Sequence, residues 1–211
     1  MYVPAHFALS EIPAVHAFLR RHVFATIAGE IGGSISFAYA PIVLDAAPAP
    51  LGGIRFHLAR ANPLAGLAGG ALLKISVMGP HAYVSPDWYG SDGLVPTWNY
   101  IAVEGAGRVR RLSDAGLRRF LSDLSAREES ALTPKPAWTI GRVPPERLDL
   151  LLNAIAGFEL VFETLEGKTK LSQNRDEADR KGAMRGLEQR GDAASLAVAA
   201  AMRELRAGKE Q

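Results

Sequence analysis

The stretch "GFELVFETLEGKTKLSQNR", residues 157–175, decides the fold class of this chain. Residues 157–165 are rich in aromatic and aliphatic side chains and predict a strand. If residues 167–174 stay extended, one face of this segment is wholly polar, because alternate side chains share a face. That face consists of Lys168, Lys170, Ser172 and Asn174. It indicates either an edge strand protected by lysines or a surface that binds an anion. Lysines alone suffice for edge protection, so the further hydrogen-bond donors of residues 172–175 favour the anion.

The segments outside this stretch indicate an antiparallel architecture. Strands are predicted at residues 23–29, 34–44, 53–60, 71–79 and 97–105, with residues 108–112 continuing the last strand or pairing with it. Helices are predicted at residues 11–22, from Asn62 in a short segment, after Ser113, at residues 144–155 and at residues 176–207. Strands come first, with helices inserted and then appended. This order favours a mainly β (α+β) fold, an antiparallel sheet or barrel with peripheral helices, over a doubly wound fold.

The composition excludes several classes of protein. The chain has 211 residues and no cysteine, which rules out disulfides, thiolate zinc sites and cysteine nucleophiles. Its five histidines lack the spacing of metal ligands, so we predict no metal site. The formal net charge of +2 is too small to indicate a nucleic-acid surface by itself. We see no export signal and no membrane-spanning segment, and therefore expect a cytoplasmic protein.

The segment "HLARANP", residues 57–63, is a candidate phosphate site. A strand ends here and a short helix is predicted to begin, with Asn62 as its N-cap. Arg60 would then lie beside the free N–H groups of a helix N-terminus, where a phosphate can be bound. A surface arginine next to a helix cap is the alternative interpretation.

The segment "GPHAYVSPDWYGSDGLVPTWNY", residues 79–100, is predicted to be a long loop that leads into a strand. It concentrates aromatic side chains and places small polar ones, among them Ser85, between them. Such a surface suits a planar heteroaromatic ligand or a subunit contact, and packing within a core or a dimer is the alternative.

Several stretches of the chain together carry a family resemblance. In order, they are "MYVPAHF", "HLARANP", "GPHAYVSPDWY", "VPTWNY", "GFEL" followed by "LEGKTKLSQNR", and a trailing "GL". Over residues 1–205 their order and spacing resemble the PaiB-like family, whose members are described as FMN-binding negative transcriptional regulators. The resemblance implies a six-stranded antiparallel split barrel of the kind shared with pyridoxamine-phosphate oxidases. It also implies a homodimer in which both subunits bind FMN at the interface.

The resemblance also implies roles for individual residues. An FMN phosphate carries about two negative charges near neutral pH and needs cationic and hydroxyl partners. We predict phosphate or ribityl contacts from Arg60, Lys170, Ser172 and Asn174, and ring or ribityl contacts from Asn62, Ser85, Trp98 and Gln173. Tyr39 stands roughly where the family usually has a histidine, so a role of that histidine in contacting flavin or substrate is in doubt here. Residues 1–175 would form the FMN-binding domain, and residues 176–211 a helical extension packed on the barrel or on the dimer partner.

Three functions share the prediction of bound FMN. The first is a dimeric regulator of the PaiB type whose partners include DNA, although the sequence has no evident DNA-reading motif. The second is a flavin-dependent oxidoreductase that acts on a small molecule or a reduced nicotinamide, in which the cofactor carries the redox chemistry. The third is an FMN-binding module without turnover. No side chain stands out as a catalytic acid or base.

Overall fold

The computed structural model describes residues 1–47, 50–67 and 69–207. Within these ranges it contains eight strands: Ala8–Leu9 (β1), Phe24–Ile31 (β2), Ser34–Pro41 (β3), Val43–Asp45 (β4), Gly53–Ala59 (β5), Leu72–Val84 (β6), Thr97–Arg111 (β7) and Ile155–Lys170 (β8). The same ranges contain five α-helices: Ile12–Arg21 (α1), Asp114–Ser130 (α2), Pro145–Asn153 (α3), Glu177–Arg190 (α4) and Ala193–Ala207 (α5). The last residues of the predicted C-terminal extension, 208–211, lie outside the described part of the chain.

The strand count corrects the prediction of six strands by adding two very short ones. β1 has two residues and β4 has three, whereas each of the other six strands has at least seven. β4 arises because the predicted strand at residues 34–44 is interrupted between Pro41 and Val43. Proline has no N–H to donate to a ladder, and the next N–H, that of Ile42, donates instead to the carbonyl of Val23 at 2.7 Å.

Two long strands correct the predicted boundaries. β6 continues to Val84, so residues 80–84 of the predicted loop are part of a strand. β7 runs without a break from Thr97 to Arg111. The segment that begins at residue 108 therefore continues the predicted strand at residues 97–105 and does not pair with it. A helix of 14 residues and one of 15 occupy the region predicted to be helical after residue 175.

Contacts divide the described chain into two compact units. The first, called here the sheet unit, consists of His16–Val77 and Glu104–Leu165. The second, called the terminal unit, consists of Met1–Val15, Met78–Val103 and the residues from Glu166 onward. Strands β6, β7 and β8 contribute residues to both. The predicted domain boundary at residue 175 stays a prediction.

The sheet unit is built on one antiparallel sheet with the strand order β3-β2-β6-β7-β8-β5-β4. β3 also approaches β5, so the sheet curves back toward itself. Alternation of side chains along these strands fills its core, whose fully buried members include Ile27, Ile54, Phe56, Ile75 and Leu160. The predicted helix after Ser113 is α2, and its Leu117 and Phe120 are buried in a cluster with Leu152 of α3.

The terminal unit is held together by its two C-terminal helices. Side chains of α4 and α5, including Leu187 and Met202, form a core with Val84 of β6. The carboxylate of Asp179 in α4 accepts hydrogen bonds from the N–H groups of Gly90 and Ser91, at 2.8 and 3.0 Å. This carboxylate therefore fixes the segment that follows β6.

Two glycines of α4 allow a close approach to the turn after β6. Gly182 lies against the carbonyl of Trp88, and Gly186 lies against the Trp88 indole ring. A side chain at either position would overlap with Trp88. The two glycines, four residues apart on α4, therefore allow this helix to pack directly on Trp88. No helix in the described part of the chain has the length and hydrophobicity needed to cross a bilayer.

Candidate functional site

An exposed set of rings on β6 and β7 forms one half of the candidate site, and we call it the aromatic face. The Trp98 ring lies 6.3 Å from the ring of His81 and 6.3 Å from that of Tyr83, measured between centroids. On β6, the alternate residues Ala82 and Val84 are buried against α4 and α5. His81 and Tyr83 therefore point from the opposite side of the strand. Trp98 remains 53% exposed, so its ring is available to a planar ligand or a second subunit.

A cluster of three positive charges at the end of β8 forms the other half, and we call it the cation cluster. Its first member, Lys168, is only 9% exposed. Its Nζ donates a hydrogen bond to the carbonyl of Tyr2 at 3.0 Å. The ammonium lies 5.8 Å from the centroid of the Tyr2 ring and 5.3 Å from that of Tyr100. These contacts place a desolvated cation between two aromatic rings.

Lys170 and Arg175 complete the cation cluster. The Nζ of Lys170 donates to the hydroxyl of Thr97. Burial lowers the pKa of Lys170, and the positive charges of Lys168 and Arg175 lower it further, against an opposing effect of Tyr100. The guanidinium of Arg175 lies over the ring of Tyr89, 5.6 Å from its centroid.

The observed contacts of the cation cluster are therefore with neutral groups: a carbonyl, a hydroxyl and aromatic rings. Such contacts orient a cation without neutralising it. Three cations of this kind at the end of β8 favour an anionic ligand.

The turn after Lys170 corrects the expectation that residues 167–174 are extended. Ser172 has φ 63°, a left-handed conformation that is uncommon for residues other than glycine. β8 consequently ends at Lys170, and Ser172 does not continue the polar face of Lys168 and Lys170. Its side chain is buried and exchanges hydrogen bonds with the fully buried amide of Asn99, at 3.0 and 3.2 Å.

Gln173 has a local role in the same turn. Its side-chain carbonyl accepts the N–H of Leu171 at 2.7 Å, and its amide donates to the carbonyl of Thr169. Asn174, the next residue, is exposed. Of the residues predicted here, the structure thus leaves Lys170 and Asn174 accessible and engages Ser172 and Gln173 in internal bonds. Those bonds hold the turn that presents Lys170, Asn174 and Arg175.

Arg60 and Asn62 belong to the sheet unit, whereas the other predicted site residues belong to the terminal unit. The Nε of exposed Arg60 donates to the carbonyl of Asn153 at 2.7 Å. The predicted helix after Asn62 is a single 3₁₀ turn, Pro63–Gly66, and the side chain of Asn62 already accepts the N–H of Leu64 at 2.9 Å. The predicted short segment with Asn62 as its N-cap is confirmed, but a turn of four residues supplies little helix dipole, and a phosphate contact here stays a prediction.

Ser85 also has an internal partner. It is the N-cap of the 3₁₀ turn Pro86–Trp88, and its Oγ accepts the N–H of Asp87 at 3.3 Å. The prediction of a ring or ribityl contact from Ser85 stays a prediction. No group of residues in the described part of the chain has the composition of a metal site.

Sequence reasoning placed Lys168 on the polar face and Arg175 among the neighbouring donors without predicting a flavin contact for either, and it missed Asn99 as the support of the turn. The spacing of Lys168 and Lys170 two residues apart was a usable signal, because both lie on the same side of the strand. Asn99 offered no such signal, since its partner Ser172 is 73 residues away.

The fold defined by these observations is that of flavin-binding split-barrel proteins. The structure is similar to that of an FAD- and haem-binding protein from Mycobacterium smegmatis, with a TM-score of 0.59, 17% sequence identity, and coverage of 83% of this chain and 79% of that chain. The predicted fold class is confirmed.

The sequence defines the family more closely. Residues 1–164 match the family model described as "Putative FMN-binding domain". The chain is 30% identical to Protease synthase and sporulation protein PAI 2 of Bacillus subtilis over 85% of each chain. It is 28% identical to an uncharacterised protein of Aspergillus fumigatus over 97% of each chain. The chain belongs to this FMN-binding family. Its membership of the family confirms the predicted cofactor, FMN.

The chemistry of the candidate site fits FMN. Exposed rings on the aromatic face suit an isoalloxazine ring, and cations with neutral neighbours suit a phosphate monoester. The cation cluster lies after residue 164, where the family match ends. Its contribution is therefore argued from the structure alone.

Proposed function

We propose that this chain is an FMN-binding homodimer that acts as a negative transcriptional regulator of the PaiB type. Support for the regulatory role comes from membership of the FMN-binding family and from the 30% identity to the Bacillus subtilis relative. The sequence has no evident DNA-reading motif, so regulation would act through flavin occupancy and a protein or DNA partner. Bound FMN supplies one- and two-electron redox chemistry, and the protein positions it.

The aromatic face and the cation cluster are the proposed flavin surface. Trp98 would contact the ring, and Lys170 and Asn174 would contact the ribityl chain or phosphate. Ser172 would act by holding the turn, since its hydroxyl is bonded to Asn99. Arg60 and Asn62 remain predicted phosphate and ribityl contacts. One observation carries this assignment. In the described chain, the observed contacts of Lys168, Lys170 and Arg175 are with neutral groups and include no carboxylate.

An apolar strand supports the homodimer. β3 is the terminal strand of the sheet order, and its outward residues Ile35, Phe37 and Tyr39 are 64%, 60% and 66% exposed. Phe24 on the neighbouring strand β2 is 63% exposed. Monomers rarely expose contiguous apolar patches of this kind, and a second copy of the chain would bury it. Tyr39, which replaces the usual histidine, would then lie at the subunit contact.

A flavin titration tests the proposal. We expect purified protein to quench the fluorescence of added FMN at one flavin per chain, and Lys170→Ala to weaken this binding. Riboflavin, which lacks the phosphate, should be much less affected by the substitution. Equal losses for FMN and riboflavin would contradict a phosphate contact of Lys170. Full retention of FMN by both Lys170→Ala and Arg60→Ala would refute the phosphate assignment.

A flavin-dependent oxidoreductase is the second candidate function. The observation that favours it is the number of positive charges in the cation cluster, which exceeds the need of one phosphate group. Anaerobic NADH or NADPH should then bleach the bound flavin within catalytic times. Failure of both to bleach it would favour the regulator.

A mobility shift with the protein's own promoter that persists at about 0.15 M salt would support direct DNA contact, since purely electrostatic binding weakens steeply with salt.

A further inference from the structure

A cavity of about 730 Å³ opens on the surface of the sheet unit. It lies between the first turns of α2 and residues 44–47, at the end of β4. Several of the residues that line it are small, among them Ala46, Ala47, Ala115 and Gly116. Small-molecule sites in proteins have volumes of about 300–1,000 Å³, so this cavity is large enough for an organic ligand.

Most of the charged side chains in the cavity are held by ion pairs. Arg55 of β5, whose side chain is 14% exposed, donates to both carboxylate oxygens of Asp45, at 2.6 and 2.9 Å. It also donates to Asp123 at 2.8 Å, and this second carboxylate lies outside the lining. Glu159 of β8, opposite Arg55 in the sheet register, pairs with Arg110 at 2.8 Å. These groups are fixed before any ligand arrives, which lowers the cost of binding.

Arg119 is the exception among the charged residues that line the cavity. It follows Ala115 by four positions and lies on the same face of α2, because residues four apart are neighbours on a helix surface. In the described part of the chain, its exposed guanidinium has no ion-pair partner. Asp45, Arg55 and Glu159 each have one. The cavity therefore contains one positive charge that no side chain around it pairs with.

Apolar side chains form the remaining walls of the cavity. Leu44 and Leu112 line it beside the alanines. Leu112 also packs against the buried cluster of Leu117, Phe120 and Leu152, so this wall is anchored to the core of the sheet unit. An apolar wall next to an unpaired guanidinium suits a molecule with a hydrophobic body and one anionic group. A carboxylate matches a guanidinium through two parallel hydrogen bonds.

We propose that this cavity binds a small organic carboxylate with an apolar body. Arg119 pairs with the carboxylate, and Leu44, Leu112 and Ala115 contact the body. A phosphate ester fits less well, because it brings about two negative charges to a cavity with one unpaired cation. None of the residues that line the cavity is assigned to the flavin, so this site goes beyond the proposed function.

Calorimetric titration with 1-naphthoate tests the proposal, and its amide, 1-naphthamide, has nearly the same shape without the charge. We expect saturable binding of one 1-naphthoate per chain and weaker binding of the amide. Arg119→Gln should weaken 1-naphthoate by at least about tenfold, because a charged hydrogen-bonded pair is lost, and should leave the amide unaffected. Arg118→Gln is the matched control, since Arg118 pairs with Asp149 at 2.6 Å and does not line the cavity.

Filling the cavity gives a second test. Ala115 is exposed, so Ala115→Trp should fold, occupy much of the cavity and abolish the binding of both probes. Ala126→Trp, at an exposed position of α2 outside the cavity, should bind both like the wild type, and circular dichroism shows that each variant is folded.

Three results of these titrations would overturn the proposal. They are the absence of saturable 1-naphthoate binding, an equal loss in Arg118→Gln and Arg119→Gln, and unchanged binding by folded Ala115→Trp. Added FMN should leave the binding of 1-naphthoate unchanged. Displacement of the probe by FMN would also overturn the proposal, since the cavity would then belong to the flavin site.

Discussion

Replacement of Gly186 by alanine tests how α4 is attached to the terminal unit. A Cβ at this position would lie 2.1, 2.3 and 2.6 Å from three carbons of the Trp88 ring. Carbon atoms in contact prefer about 3.5–4.0 Å, so either the helix or the indole must move by more than an ångström. Overpacking of this kind costs about 1–3 kcal/mol.

The helix itself would gain from the same change. Alanine is favoured over glycine in a helix interior by about 1 kcal/mol. With an overlap this deep, we expect the upper end of the overpacking range and a net loss of about 2 kcal/mol in the free energy of unfolding. For a chain of this size, that loss lowers Tm by about 4–8 °C.

Urea unfolding followed by tryptophan fluorescence and by circular dichroism gives the measurement, and a double-mutant cycle gives its cause. In a Trp88→Ala background the overlapping ring is gone, so Gly186→Ala should become neutral or stabilising. Gly116→Ala in α2 is the control, because its Cβ would meet its nearest neighbours at an ordinary 3.4 Å. It should leave stability unchanged or raise it by up to about 1 kcal/mol. An equal loss from Gly186→Ala with and without Trp88 would refute the reasoning.

Three further changes probe the turn, the core and the subunit contact. Ser172→Ala removes the hydroxyl, and Ser172→Gly removes both the hydroxyl and the strain of the left-handed backbone. The free energy of unfolding in urea should therefore be about 1 kcal/mol lower for the alanine variant than for the glycine variant. Burial lowers the pKa of His57 below 6.5, so the unfolded chain binds the proton more tightly and stability falls as the pH drops below 6.5. His57→Phe should flatten that fall in urea titrations, and an unchanged slope would contradict the role of His57. Phe37→Glu on β3 should convert a homodimer into a monomer in light scattering, with Ser34→Glu on the same strand as a control that leaves the dimer intact.

Elements set by local pattern could be predicted from the sequence. The 3.6-residue spacing of apolar residues predicted a helix at residues 11–22, and α1 spans Ile12–Arg21. Ser113 is the predicted N-cap of α2, and its Oγ accepts the N–H of Gly116. Such features depend on residues a few positions apart, and the sequence displays them directly.

Features that join distant segments could not be predicted in this way. The hydrogen bond between Asn99 and Ser172 holds the turn at which β8 ends, after Lys170. No local sequence pattern relates two residues that are 73 positions apart. The sequence pattern placed Lys168 on a wholly polar face and gave no sign that its side chain is buried. Its burial comes from Tyr2 and Tyr100, which reach it from other strands or from the chain terminus. The candidate site was therefore predicted by residue type, while its support and its electrostatics required the structure.

The terminal unit draws on three separate lengths of chain, and this constrains the order of its assembly during synthesis. Its core contains Val84, Leu171 and Met202, so it cannot close until the chain through α5 has left the ribosome. Until then, the strand ends that later carry the aromatic face have no helices to cover their other side. We expect nascent chains truncated before α5 to be sensitive to proteases in residues 78–103, and release of the full chain to protect them.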